Sequence, residues 1–452
     1  MSKQFFDGPP LGKLAPSGGS AVREATSVGA LFLGCIADDF TGATDLANNL
    51  VRAGMRVTQA IGVPAQALQT DVDAVVIALK SRTVLPPDAV KQSLHALSWL
   101  KAQGARQIYF KYCSTFDSTA QGNIGPVLEA LMDALGTDFT IATPAFPDNH
   151  RTVFKGYLFV GDVLLNESGM QNHPLTPMAD ANLVRVLQAQ TQRKVGLIGH
   201  GVVSHGGAAI TTRISELKAH GVGVAIVDAV SNDDLMRLGL ALKDMPLVTA
   251  GSGVAIGLPQ NFGIAPSAGA SALPPRGGWQ AVVSGSCSVA TNRQVADFIG
   301  RGHPALALDP LQIAGDVAKG VDPSASALAW AAPLLKNGPV LVYSTGDPAA
   351  VRSVQATLGG GDAGAMVERT LAAVARGLAA LGVRQLIVAG GETSGACVQA
   401  LGVTQMQIGP QIDPGVPWCY AKSTPGTGLH LALKSGNFGT DDFFSKSFEL
   451  LP

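Results

Sequence analysis

The chain has 452 residues, enough for two or three ordinary domains, with 46% hydrophobic and 14% charged residues and a formal net charge of -1. That balance leaves no basic footprint for nucleic acid or an anionic membrane surface, and no uninterrupted apolar run reaches the roughly 18 residues of a membrane-spanning helix. The five cysteines (Cys35, Cys113, Cys287, Cys397 and Cys419) are scattered and never form a C-x-x-C pair, which excludes a disulfide framework or a zinc site as the organising feature and suits a reducing cytoplasm.

Residues 1–29 are rich in Gly, Pro and Ser, lack the apolar core of a secretory signal, and read as a flexible extension. The 8–13 stretch resembles a phosphate loop only in composition, because its spacing is wrong and Leu14 stands where Ser or Thr is needed. The apolar run 31–37 reads as a buried strand, and it ends in Asp38 and Asp39, a Gly-containing turn and a helix from Ala43. Carboxylates at the carboxyl end of a strand in an open α/β sheet sit where ligands bind and can take a proton from a hydroxyl or hold a hydrated metal ion. The structural alternative is a solvated acidic turn that caps the helix through Asp39 or Thr41.

Apolar runs recur at 74–79, 107–112, 139–143, 194–198, 222–227 and 247–250, mostly separated by helix-like stretches, which argues for a parallel α/β sheet. Polar groups follow several of them: Lys80, Ser81 and Arg82, then Lys111, Asp117, Gly122 and Asn123. Cations with hydroxyl and amide groups suit a small hydroxylated carboxylate. His200 and His205, five apart, match no zinc or triad pattern and read as structural. The 251–257 stretch misses the dinucleotide fingerprint and reads as closing the domain or lining the cleft.

Residues 263–278 have the Gly, Pro, Ala and Ser content of a linker, so the expected division is 30–262, the linker, and 279–452. Strands are expected again near 281–286, 304–308, 339–344, 385–389 and 405–408, with helices near 291–301 and 366–381. Two Gly-rich strand-to-helix turns lie in this half, Ser284-Gly285-Ser286-Cys287-Ser288 and Gly390-Gly391-Glu392-Thr393-Ser394-Gly395, with Leu433-Lys434-Ser435-Gly436-Asn437-Phe438-Gly439 near the end. Such turns bring backbone N–H groups and a helix dipole to an anion, as nucleotide phosphates require.

In order, Ile36-Ala37-Asp38-Asp39-Phe40-Thr41-Gly42-Ala43, the Asp117-Ser118-Thr119 and Gly122-Asn123-Ile124-Gly125 segments, Ser284-Gly285-Ser286 and Gly390-Gly391-Glu392-Thr393-Ser394-Gly395 resemble the four-carbon acid sugar kinases. Lys111 to Thr119, Asn166-Glu167-Ser168-Gly169-Met170, Asn172-His173-Pro174-Leu175-Thr176-Pro177-Met178 and Ser435-Gly436-Asn437-Phe438-Gly439 are similar to the 3-oxo-tetronate branch. Many threonate and erythronate relatives carry Arg before the Gly of the Asp-Ser-Thr segment, whereas Gln121 stands here, so that contact is not carried over.

The resemblance implies an α/β protein of two domains, each a mainly parallel sheet flanked by helices, with the active site in the interdomain cleft. It implies ATP and Mg²⁺ as cofactors and transfer of phosphate to the terminal hydroxyl of a four-carbon 3-oxo acid. ATP contacts map onto Ser288, Gly390, Gly391, Glu392, Thr393 and Gly436. Asp39, with Asp38 next, is expected to orient or deprotonate the hydroxyl; Arg82 and Lys111 to hold the acid's carboxylate; Asp117 and Asn123 its hydroxyls. Metal ligands are not assigned, and homo-oligomerisation is left open. The alternatives are a threonate or erythronate kinase and a two-domain small-acid binding protein without chemistry.

Overall fold

The computed structural model describes residues 31–67, 72–117, 119–172, 176–345, 360–423 and 426–451. The amino-terminal extension with its 8–13 stretch, Ser118 and residues 173–175 of the sequence motifs lie outside them. In the first half, β1 (Leu33–Ala37), β2 (Val57–Ile61), β3 (Ala74–Ala78), β4 (Gln107–Lys111), β5 (Thr140–Thr143), β9 (Lys194–Ile198), β10 (Val222–Val227) and β11 (Leu247–Ala250) form a parallel sheet. Their order is β2-β3-β1-β4-β11-β5-β10-β9. Every residue of β1, β3 and β4 is buried, which explains why these strands read as continuous apolar runs rather than alternating ones.

A short antiparallel sheet, β6 (Arg151–Phe154), β7 (Tyr157–Val160) and β8 (Val163–Leu164), stands apart from the main one. Its first turn passes through Lys155 and Gly156 at φ 52° and 77°. The buried carboxylate of Asp228 accepts both of their N–H groups, at 2.6 and 2.8 Å, and that of His200 at 2.9 Å.

The second half holds β12 (Trp279–Ser284), β13 (Ala305–Ala307), β14 (Val340–Tyr343), β15 (Val383–Ala389), β16 (Gln405–Asp413), β17 (Val416–Ser423) and β18 (Thr427–Lys434) in the order β13-β14-β12-β15-β18-β17-β16. The pairs from β13 to β18 are parallel, whereas β18, β17 and β16 run antiparallel. Expecting only a short strand near 405–408 understates this meander, because Gly, Pro and Lys punctuate its strands. β16 also pairs antiparallel with β2, so the two sheets join into one of fifteen strands among the described residues. The 263–278 segment, which contains a short helical turn at Ala268–Ser271, is fastened to this meander: Gln407 donates to the Ala272 carbonyl at 2.7 Å, and His430 lies 3.0 Å from that of Pro274.

The topology decides where the chemistry can sit. From β1 the chain passes through helix α1 (Phe40–Arg52) to β2 on one side, and from β3 through α2 (Pro86–Ala102) to β4 on the other. The second half repeats the manoeuvre about β12, with β14 on one side and β15 on the other. Each half therefore opens a crevice at the carboxyl ends of its central strands.

Candidate active site

Register places the first cluster. Ala37 of β1 pairs with Ala78 of β3 and with Lys111 of β4, so Asp38 and Asp39, the 80–82 segment and Lys111 emerge together at one sheet end. Arg82 grips Asp38 through both carboxylate oxygens, Nε to Oδ2 at 3.0 Å and Nη2 to Oδ1 at 2.8 Å, and Nη2 also reaches Asp39 Oδ1 at 2.6 Å. Lys111 Nζ lies 4.0 Å from Asp39 Oδ1. A Cβ at position 42 would run into Lys111 Nζ and Asp39 Oδ1, so any larger residue there would displace these two side chains.

Asp39 is also the N-cap of α1, accepting from the Gly42 N–H at 3.1 Å and from Thr41 Oγ1 at 3.0 Å. The capping reading and the site reading therefore meet in one residue. Its side chain retains 25% of its exposure against 9% for Asp38. Burial acts to raise the Asp39 carboxyl, but Arg82, Lys111 and the bonds from Thr41 and Gly42 outweigh it and hold it below the usual carboxylate range. For Asp38, burial wins over Arg82 and pushes the carboxyl up.

Asp117 accepts from Thr115 Oγ1 at 2.6 Å, and Thr115 Oγ1 also lies 2.8 Å from Cys113 Sγ. Asn123 is a brace: its side-chain N–H₂ donates to the carbonyls of Ser81, Arg82 and Val84 at 2.8, 3.1 and 2.9 Å, fixing the loop that carries Arg82. Sequence reasoning did not single out Asp45. It is buried on α1, takes a hydrogen bond from Ser252 at Oδ2, leaves Oδ1 without a partner, and is raised by burial against the opposing charge of Lys111. Ser252 belongs to the 251–257 stretch, which thus lines this region.

The second cluster is three turns side by side. Ser284 pairs with Ala389 and Ala389 with Lys434, so the turns after β12, β15 and β18 share one edge. Gly285 donates to the Ala389 carbonyl at 3.0 Å and Gly390 to that of Lys434 at 2.8 Å. Gly390 has φ 121°, and a Cβ on it would lie 2.9 Å from Thr393 Oγ1; a Cβ on Gly436 would lie 2.7 Å from Ser286 Oγ. Position 391 faces open space at the start of the helix Gly391–Ala400. A nucleotide's phosphates fit this cradle of small residues, whose first-turn N–H groups have no acceptors within the helix. Ser394 Oγ is buried without a partner in that same turn.

Ser288 caps the helix Val289–Gly300 and donates to the Gly436 carbonyl at 2.5 Å. Beneath that carbonyl lies Lys434, fully buried, with Nζ bonded to Thr291 Oγ1 at 2.9 Å and to the carbonyls of Ser435 and Gly436 at 3.0 Å each. Burial pushes its ammonium down to about 7. The sequence places this lysine in the 433–439 segment of the expected nucleotide site, but it ends an apolar strand and only the fold encloses it.

The two clusters face one another. α1 packs on β16 and β17 and touches the helix Gly391–Ala400. Lys80, beside Arg82, bonds Glu392 of the Gly-rich turn at 2.9 Å. Groups of three or more His, Cys, Asp or Glu arranged to hold a metal are absent among the described residues. His200 lies 3.4 Å from Asp234, and His205 bonds the Gly201 carbonyl, neither joining this site. All five cysteines are free thiols, and no described helix is long and apolar enough to cross a membrane.

Residues 33–258 match the sugar-binding N-terminal domain and residues 281–444 the nucleotide-binding C-terminal domain. A 3-oxo-tetronate kinase of Burkholderia multivorans is 58% identical over 93% of this chain and 97% of its own. That of Haemophilus influenzae is 48% identical over 91% and 98%. Solved structures of a Haemophilus influenzae protein (TM-score 0.78, 46% identity) and a Salmonella typhimurium LT2 protein (TM-score 0.84, 44% identity) each cover 93% of this chain with their full length. With carboxylates and cations on the sugar-binding side and Gly-rich turns on the nucleotide-binding side, the chain belongs to the four-carbon acid sugar kinase family.

Proposed function

We propose that the protein transfers the γ-phosphoryl group of ATP to the C4 hydroxyl of a four-carbon 3-oxo acid, giving 3-oxo-tetronate 4-phosphate and ADP. The observation that carries this reading is the approach of the Asp38–Asp39 cluster to the 390–393 turn, spanned by the Lys80–Glu392 bond. The substrate comes from relatives 56–58% identical over most of their length, each named 3-oxo-tetronate kinase. In this reading residues 30–262 take the acid, 279–452 the nucleotide, and 263–278 link them in a cytoplasmic enzyme.

When bound, ATP supplies the phosphoryl group and Mg²⁺ neutralises the charge developing on it. Ser288, Gly390, Gly391, Thr393 and Gly436 would cradle the phosphates. A nucleotide-bound Mg²⁺ needs only one or two protein carboxylates, and Glu392 is on the turn itself. Asp39, more open than Asp38 and held ionised by its cations, would accept the proton of the C4 hydroxyl as the oxygen bonds phosphorus. Arg82 would keep the carboxylate aimed. The opposed halves would exclude water, the competing acceptor.

The test is ADP release with Mg-ATP and a panel of tetronic acids, with phosphorus NMR locating the new ester. A 4-phosphate of a 3-oxo acid as the preferred product is expected. Preference for threonate or erythronate would replace the substrate, and binding without turnover of any acid would overturn the kinase reading.

A further inference from the structure

Three cations come within electrostatic reach of Cys113 in the loop that follows β4, and of these Arg82 alone is committed by hydrogen bonds to carboxylates. Arg82 spends Nε and Nη2 on Asp38 and Asp39, and Lys111 is buried against Asp39 and Gly42. The third is Arg151, which the sequence did not single out. It opens β6 directly after the tight turn at Pro147–Asn149, where His150 takes φ 56° and Phe146 and Arg151 exchange both backbone hydrogen bonds, at 2.8 and 3.1 Å. The turn thus fixes the backbone from which the guanidinium projects.

That guanidinium is held by one bond, Nη1 to the Asn149 carbonyl, while Nε is buried and has no hydrogen-bond partner. Cys113 and Asp117 are the ionisable groups within its electrostatic reach, and Cys113 is in turn within reach of Arg82 and Lys111. Burying an arginine N–H without an acceptor is costly, and a planar carboxylate would satisfy it through the Nε edge. Asp117 already accepts from Thr115.

We propose that Arg151 is the group that recognises the carboxylate of the sugar acid and so selects acids over neutral sugars, leaving Arg82 to organise the Asp38–Asp39 pair. This assignment rests on the acid-kinase reading above.

The test is calorimetry on the full chain with 2,3-dihydroxybutanoate, which has no C4 hydroxyl to phosphorylate, and with its uncharged amide. Wild type is expected to prefer the acid by about 10- to 150-fold, the range of one charge-assisted hydrogen bond. Arg151→Met should bring that ratio close to one, and Arg151→Lys, which keeps charge but loses the planar fork, should give an intermediate ratio. ATP affinity should be unchanged in both. Retention of the full acid preference in Arg151→Met overturns the assignment, as does absence of any preference in wild type. If Arg151→Met loses ATP binding through misfolding, Arg151→Lys decides, and an unchanged ratio in it overturns the assignment. Should wild type bind the acid through Arg151 yet turn over no tetronic acid, the reaction fails and the anion site stands.

Discussion

Asp38 and Asp39 are adjacent in sequence and chemically opposite in the fold. Both oxygens of Asp38 are taken by Arg82, and burial raises its carboxyl; Asp39 keeps more exposure and is held low by two cations. Asp39→Asn is therefore expected to lower kcat by about 10²–10⁴-fold with a modest change in acid affinity, and Asp38→Asn to act more weakly; steady-state kinetics of both variants checks the order. Near-normal kcat in Asp39→Asn would return the residue to its capping role alone. Arg82→Ala removes the main cation that opposes burial at Asp39. Its carboxylate should then protonate at higher pH, so the acid limb of the kcat–pH profile should move upward from its wild-type position. An unmoved limb, with the loss confined to KM for the acid, would make Arg82 a substrate anchor instead.

At the scale of elements, the nucleotide cradle is three strand ends held in register. Because position 391 faces open space, Gly391→Val should fold normally and report on the ligand alone, weakening ATP while sparing acid binding in calorimetry. Unchanged ATP affinity would remove this turn from the site. Lys434, below the same edge, carries a different signature. Its ammonium is pushed down to about 7 from 10.5, so between those values the unfolded chain holds a proton that the folded one has released. Stability from this group is lowest below pH 7 and rises as pH increases toward 10.5. Denaturant melts of wild type and Lys434→Met across that interval should show wild type gaining on the order of a few kcal/mol relative to the variant. Parallel curves would mean the ammonium is not buried in solution.

Across the whole molecule, two of the features that tie the halves together differ in strength. The Lys80–Glu392 bond joins exposed side chains, so Lys80→Ala should change the unfolding free energy by no more than about 0–1 kcal/mol, a shift that thermal melts at low and high salt can resolve. A large loss would show that the bond carries the interface. The pairing of β2 with β16 is instead a backbone ladder within one continuous sheet. The amino-acid sequence by itself determined most of the parallel strands of both halves, though neither β2 nor β18, together with the carboxylate pair at the end of β1 and the Gly-rich turns after β12 and β15, because buried strands, caps and phosphate turns are written in local composition and spacing. Only the tertiary structure decided that Arg82 clamps Asp38 and Asp39, that Asn123 braces the Arg82 loop, that Lys434 is enclosed, and that Arg151 Nε is buried without a partner. Each of those depends on strand register between residues tens to hundreds apart, which no local periodicity encodes.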